Sequence, residues 1–336
     1  MGEGPALLAA WWPEDLVREL AGEETKFRSH RDLLVKLDLV PASLNIFPQG
    51  RFHGARVKEQ VYLPDWRDEE RLAYTLAAAE LQARILAEFE VDRGALSTVP
   101  LGFRGLDRRA RPEPEHVQML FRAALGLEQL EARSGVHLVL AIEPEPWCLL
   151  ESVGETVAWI EDALRAYAAT QGNEAVVRRH IGLCLDLCHA AVLGEDPVEA
   201  LEFCKRSQVV IPKVQLSSAL HARGKKGYAR VLERDEPVYL HQMRAVDASR
   251  AFVDLGCAEA RAYEPGSAEE WRVHFHVPLK WQGDAELGST QDEVLRFVDV
   301  VRGGGLAPGT LMEVETYTNP AIADELFFMV ERLTRP

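Results

Sequence analysis

The sequence predicts one α/β domain, a TIM-type β/α barrel, and two observations carry that prediction. Short apolar runs alternate with longer amphipathic ones along all 336 residues, as in strand–helix units around a parallel sheet. Several apolar runs also end in a carboxylate, and in a β/α barrel the functional groups sit at the C-terminal strand ends. Length and composition agree. Such barrels run to roughly 250 residues or more as one domain, and 47% apolar residues suffice for the core.

Strands are expected at Ala6–Trp11, Ala42–Ile46, Ala95–Val99, His137–Ile142, Ile181–Leu185, Val209–Leu216 and Thr310–Thr316. Each run is short and apolar, and Gly, Pro or Asp punctuates many of the exits. Helices are expected at Glu70–Glu88, Glu113–Arg133, Thr156–Thr170, Pro197–Lys205 and Ser289–Val301. Val157, Ile160, Leu164 and Tyr167 show the helical spacing of one buried face. His221–Trp281 is the least regular part and reads as an insertion between two strands of a single domain spanning 1–336.

Bulk properties exclude several classes. The formal net charge is −15, and no basic patch exists beyond short runs such as Arg223–Lys226, so a nucleic-acid partner is not expected. The apolar first dozen residues lack a basic leader and run straight into Pro13, Glu14 and Asp15, unlike a signal peptide. No window reaches the ~18 apolar residues of a membrane span. Five cysteines, an odd number, read as reduced thiols in a cytoplasmic protein.

The strand ends carry the candidate chemistry. His137–Ile142 leads to Glu143. Ile181–Leu185 leads to Asp186, with His189 three residues on. Val214 leads to Gln215, and the last strand contains Glu313 and Glu315. Alternation places Asp186 with Gly182 and Cys184 on the inward face, Glu143 with Val139 and Ala141, and Glu315 with Glu313 and Leu311. Each taken singly has a plainer reading. Asp186 and His189 suit an N-cap and a first-turn histidine, and Glu313 and Glu315 suit a solvated edge. Together, three inward carboxylates repel one another unless a cation holds them. The expected cofactor is a hard divalent ion, Mn²⁺ or Mg²⁺, or Zn²⁺ if histidines join. Its shell would be Glu143, Asp186 and Glu315, completed by Gln215 or His276. His274 and His276 alternate on one strand and can reach one site. His53, in a Gly-rich loop, is a candidate for the pocket wall.

Three segments, Ala141–Pro144, Gly182–His189 and Leu311–Thr316, resemble metal motifs of the xylose isomerase-like TIM-barrel superfamily. Asn45–Gly54, Val57–Trp66, Ser97–Gly102, Ile142–Pro146, Val214–Ala219 and His274–Pro278 are similar to a narrower group, the EboE family of metabolite-traffic proteins. The resemblance implies a sugar- or cyclitol-type isomerase or epimerase in the synthesis or traffic of a secondary metabolite, acting on a small polyhydroxylated molecule. Glu143 and Glu315 would pass a proton from opposite sides of the substrate, and His189 would orient its oxygen. His53, Lys58 and His274 would contact it. Gln215 departs from the superfamily, which commonly has histidine there, and this keeps a non-catalytic carrier as the alternative. The resemblance also implies that the chain starts at a second strand, so the barrel lacks its first. The open edge would then be covered by the His221–Trp281 segment, with the His274 strand inserted beside the last one, or by another subunit, as in a homo-oligomer.

Overall fold

The computed structural model describes residues 5–50, 57–316 and 319–334. In chain order its strands are β1 (Ala6–Trp11), β2 (Leu39–Asn45), β3 (Arg93–Thr98), β4 (His137–Ile142), β5 (Ile181–Asp186), β6 (Lys213–Leu216), β7 (Ser218–Arg223), β8 (Met243–Ala245), β9 (Ala251–Phe252), β10 (Glu270–Val277), β11 (Leu287–Ser289) and β12 (Leu311–Val314). Seven form one sheet in the order β1-β2-β3-β4-β5-β6-β12, and every neighbouring pair is parallel.

The sheet curls into a nearly closed barrel. Ser43 Oγ on β2 donates to Glu313 Oε2 on β12 across 2.6 Å, and Asn45 Nδ2 reaches Glu315 Oε1 at 3.2 Å. Among the described residues β1 and β12 are edges with no ladder between them. Ala6 and Leu7 of β1 are exposed, so that end of the edge is not covered by a segment of the described chain. The strand carrying His274 does not fill the gap; it belongs to another sheet.

Local chemistry explains the elements. All six residues of β5 are buried, as expected of a parallel strand covered on both faces. β6 starts at Lys213, four residues later than the apolar run suggests, because Pro212 brings no N–H to the ladder. Helix Pro114–Ser134 opens on a proline, which needs no N–H there, and ends at Gly135, whose φ of 73° is the left-handed cap geometry. The expected helix from Thr156 begins at Val153, because Ser152 Oγ caps the Glu155 N–H. It runs through a π segment at Ile160–Arg165 to Thr170.

The segment expected to be irregular is ordered differently. β7–β11 build a five-stranded antiparallel sheet in the order β11-β7-β10-β8-β9. It has its own apolar cluster, in which Trp271, Val273, Leu255 and Leu287 are fully buried. Odd-numbered residues of β10 up to Val273 face that cluster. Even-numbered ones face the helix Leu187–Leu193 after β5, where Arg272 donates to the Ala191 carbonyl at 2.7 Å. The sheet therefore folds over the barrel mouth.

Candidate functional site at the barrel mouth

Glu143, Asp186 and Glu315 converge at the C-terminal ends of β4, β5 and β12. One oxygen of each lies within 4.8 Å of the others, and all three side chains are buried. At that separation two carboxylate charges repel by about 3 kcal/mol at an effective dielectric of 20. Three ionised groups are therefore not stable together without a proton or a cation. Burial, reinforced by Asp186, pushes Glu143 up to about 8. Burial and Glu143 push Glu315 well above the carboxylate range. Burial also acts to raise Asp186, but the nearby His189 and His276 rings, the His189 amide and Ser217 hold it lower than usual.

Asp186 satisfies both readings of its position. Its Oδ1 caps the helix, accepting the His189 N–H at 2.8 Å and the Ser217 hydroxyl at 2.9 Å. Its Oδ2 is buried with no hydrogen-bond partner, and so is Glu315 Oε2. A buried carboxylate oxygen without a donor is costly, and a divalent ion held among these oxygens removes that cost. The donor set, carboxylate oxygens in a closed mouth, fits the hard ions Mn²⁺ and Mg²⁺.

Gln215 stands in register with Asp186 on the neighbouring strand. Its Nε2 donates to Glu143 Oε2 at 3.3 Å and its Oε1 accepts the Cys184 thiol at 3.2 Å. In this geometry the amide orients Glu143 and turns its oxygen away from the trio. Beneath it lies Lys213, fully buried, with Nζ 2.7 Å from Glu313 and 3.2 Å from Ser97 Oγ. Although burial acts to lower its pKa, the surrounding carboxylates raise it. Lys213 thus supplies a fixed positive charge to the acidic mouth.

His189, His274 and His276 reach the same mouth. His189 Nε2 is 3.0 Å from His274 Nε2, and His274 Nε2 is 3.3 Å from His276 Nε2. His274 comes into place where the β10–β7 register shifts between Val273 and Val277, and such irregularities re-aim side chains. His189 gives its Nδ1 hydrogen to the Pro144 carbonyl at 2.9 Å. Its neutral ring therefore presents a lone pair, and not a hydrogen, at Nε2. Lys58 also lines the cavity, but its Nζ pairs with Asp254 at 2.7 Å. His53 lies outside the described residues.

Three participants went unassigned in the sequence reading. Glu145 is buried beside Glu143 and accepts the Tyr62 hydroxyl at 2.8 Å and Gln242 Nε2 at 3.2 Å. Burial pushes it up to about 8 despite the Tyr62 hydrogen bond. Glu145 could have been found from the doubled glutamate before Pro146, and Lys213 from a cation inside an apolar run. No sequence signal marks Gln242.

The site opens on a cavity of about 500 Å³. Trp11, Phe47, Tyr62 and Phe275 line it along with Glu143, Glu145, His189 and Glu315. An apolar wall facing a few convergent polar groups is the usual build of a small-molecule site.

Fold and site define the class, a seven-stranded parallel β/α barrel with a carboxylate–imidazole cluster at its mouth. No protein family and no curated protein matches this chain in sequence. Among solved structures it is similar to a xylose isomerase domain protein from Planctomyces limnophilus, at 14% identity and TM-score 0.49, over 98% of this chain and 88% of that one. It is also similar to the IOLI protein with a binding zinc atom, at 14% identity and TM-score 0.44, over 97% and 87%. A D-tagatose 3-epimerase-like protein aligns at 10% identity and TM-score 0.44, over 93% and 83%. The functional reading rests on the side chains of this chain. No helix among the described residues is long and apolar enough to cross a membrane, and all five cysteines are free thiols.

Proposed function

We propose that this chain is a divalent-cation-dependent isomerase or epimerase of a small polyhydroxylated molecule, acting in the cytoplasm in the synthesis or traffic of a secondary metabolite. One observation carries the reading: three buried carboxylates from three strands converge within 4.8 Å, two of them with an oxygen that has no partner. Glu143, Asp186 and Glu315 would hold the cation. When bound, it would polarise neighbouring substrate oxygens and so acidify the adjacent carbon–hydrogen bond.

The protein's own groups do the rest. Glu143, ionised once the cation is held, would take the proton from carbon as a general base. Glu315, at the end of β12 across the mouth from β4, would return the proton, with Oε2 left to the cation. Asn45 fixes its other oxygen. Gln215 steadies Glu143, and Lys213 limits the charge that collects beneath them. Trp11, Phe47 and Phe275 exclude water from the apolar side of the cavity.

Deuterium exchange tests this reading. Metal-loaded protein is incubated in D₂O with a panel of ketoses and cyclitol ketones. The expected result is NMR-detected deuterium at a carbon beside the carbonyl, with a new stereoisomer or positional isomer. Tight binding of a panel member, returned unchanged and without deuterium, would instead mark the barrel as a carrier.

A further inference from the structure

At the foot of the barrel, away from the mouth, polar side chains from three elements meet. His137 opens β4, whose far end leads to Glu143. Glu131 lies in the last turn of helix Pro114–Ser134, and His180 ends helix Glu174–His180. The six residues of β4, rising about 3.3 Å each, put this cluster roughly 20 Å from the carboxylate trio. One oxygen of Glu131 and one nitrogen each of His137 and His180 lie within 4.8 Å of one another. Glu131 Oε2 is 3.3 Å from His137 Nδ1 and 3.4 Å from His180 Nε2.

The His180 ring is held in one orientation. Its Nδ1 lies 2.9 Å from the Leu138 carbonyl, an oxygen that only accepts, so Nδ1 carries the hydrogen. Burial pushes His180 below the ordinary histidine value, despite that bond and the Glu131 charge. The neutral ring therefore has a bare lone pair at Nε2. That side chain is fully buried, and its Nε2 has no hydrogen-bond partner. It faces a carboxylate that the Arg179 guanidinium holds ionised, at about 2. A lone pair and a carboxylate oxygen at 3.4 Å repel unless something positive lies between them. A proton on Nε2 would charge a ring shut away from water. A divalent ion needs no charged ring.

The spacing suits such an ion. Ligands held tetrahedrally at about 2.0–2.2 Å stand about 3.3–3.6 Å from one another, and the two contacts of Glu131 Oε2 measure 3.3 and 3.4 Å. His137 can carry its hydrogen on Nε2 and present Nδ1 as a lone pair. Arg179 supplies the outer support that ligating carboxylates have. Its Nε donates to Glu131 Oε2 at 2.7 Å, and a second nitrogen holds Oε1. An oxygen with two lone pairs that accepts one bond keeps the other for an ion.

We propose that Glu131, His137 and His180 form a site for a divalent ion of the zinc class, which clamps two helix ends to the start of β4. The fourth position opens to solvent beside His137, whose side chain is 30% exposed. Two imidazole nitrogens and one carboxylate oxygen suit Zn²⁺ or Co²⁺, whereas the all-carboxylate trio suits Mn²⁺ or Mg²⁺. This site does not depend on the reaction proposed at the mouth.

The test uses full-length protein stripped with chelator and then given Zn²⁺ alone. Native mass spectrometry counts the zinc held by wild type and by His137→Gln, and thermal unfolding gives Tm. The wild type should hold one equivalent more than the variant, whatever the mouth binds. At about a hundred times the Kd, zinc should raise the wild-type Tm by roughly 4 °C more than that of the variant. Zinc-soaked crystals should show an anomalous peak about 2.0–2.2 Å from Glu131 Oε2, His137 Nδ1 and His180 Nε2. Equal zinc counts and equal Tm shifts in wild type and folded His137→Gln would overturn the site, and so would a crystal peak confined to the mouth. If His137→Gln fails to fold, imidazole-nitrogen NMR of the wild type decides. Zinc should move the His180 Nε2 resonance and leave the Nδ1 hydrogen in place; an unmoved resonance, or a hydrogen on Nε2 that zinc does not displace, would refute the proposal. Failure of the carboxylate reading alone would leave the one-equivalent difference intact.

Discussion

Replacing Glu143 by glutamine should stabilise the metal-free protein while removing its response to metal. In the folded state burial and the Asp186 charge push Glu143 up from 4.5 to about 8. A carboxyl raised in this way favours folding below its unfolded value. That contribution is lost as pH rises from about 4.5 through 8, because the unfolded chain releases the proton first. The loss at pH 8 is on the order of 4 kcal/mol. Glutamine cannot ionise and keeps an oxygen for the Gln215 donor, so Glu143→Gln should recover roughly 3 kcal/mol of it at pH 8 and almost nothing near pH 4.5. The assay is urea unfolding of chelator-treated wild type and variant between pH 4.5 and 8.5. Mn²⁺ at about a thousand times its Kd should then reverse the order, since at that excess a ligand adds roughly 4.1 kcal/mol to a protein that binds it. A metal-free wild type at least as stable as the variant at pH 8, or a difference that does not change with pH, would refute the reasoning.

Lys213→Met should destabilise the fold by about 3–5 kcal/mol, because it leaves Glu313 buried without its 2.7 Å partner; adding Glu313→Gln should restore more than half of that in the same unfolding assay. Mn²⁺ binding near pH 7 should release one proton or more, since Glu143 and Glu315 are both raised. Calorimetry in buffers of different ionisation enthalpy measures this, and an enthalpy independent of buffer would count against it. Gln215→His should lower the Kd for Mn²⁺, because an imidazole facing Glu143 is a better donor than an amide whose oxygen is engaged by Cys184; an unchanged or higher Kd would show that no donor is accepted at that position.

The barrel was legible because its inner strands β2–β6 are largely buried on both faces and so read as apolar runs. β1 and β4 coincide with the expected Ala6–Trp11 and His137–Ile142, and the seven barrel strands keep the expected order. The second sheet was less legible. β8 and β9 are only three and two residues long, too short to show a period, and they are defined by pairing with β10, which is distant in sequence. In β10 the alternation of His274 and His276 was legible, but not that Trp271 and Val273 of the same strand face a separate apolar cluster. The carboxylates could be found because each ends an apolar strand. Glu145, Gln242 and Lys213 could not be placed the same way, because their roles come from neighbours remote in sequence, such as Tyr62 for Glu145 and Glu313 for Lys213. Gln215 shows the same limit: strand position put it at the mouth, but only its bond from Cys184 shows which way its oxygen turns.

The most direct test of the central claim is anomalous diffraction at the manganese edge from crystals grown with Mn²⁺. The account predicts a peak enclosed by oxygens of Glu143, Asp186 and Glu315 at about 2.0–2.6 Å. Fully resolved carboxylates with no peak among them, each turned to its own protein donor, would contradict it.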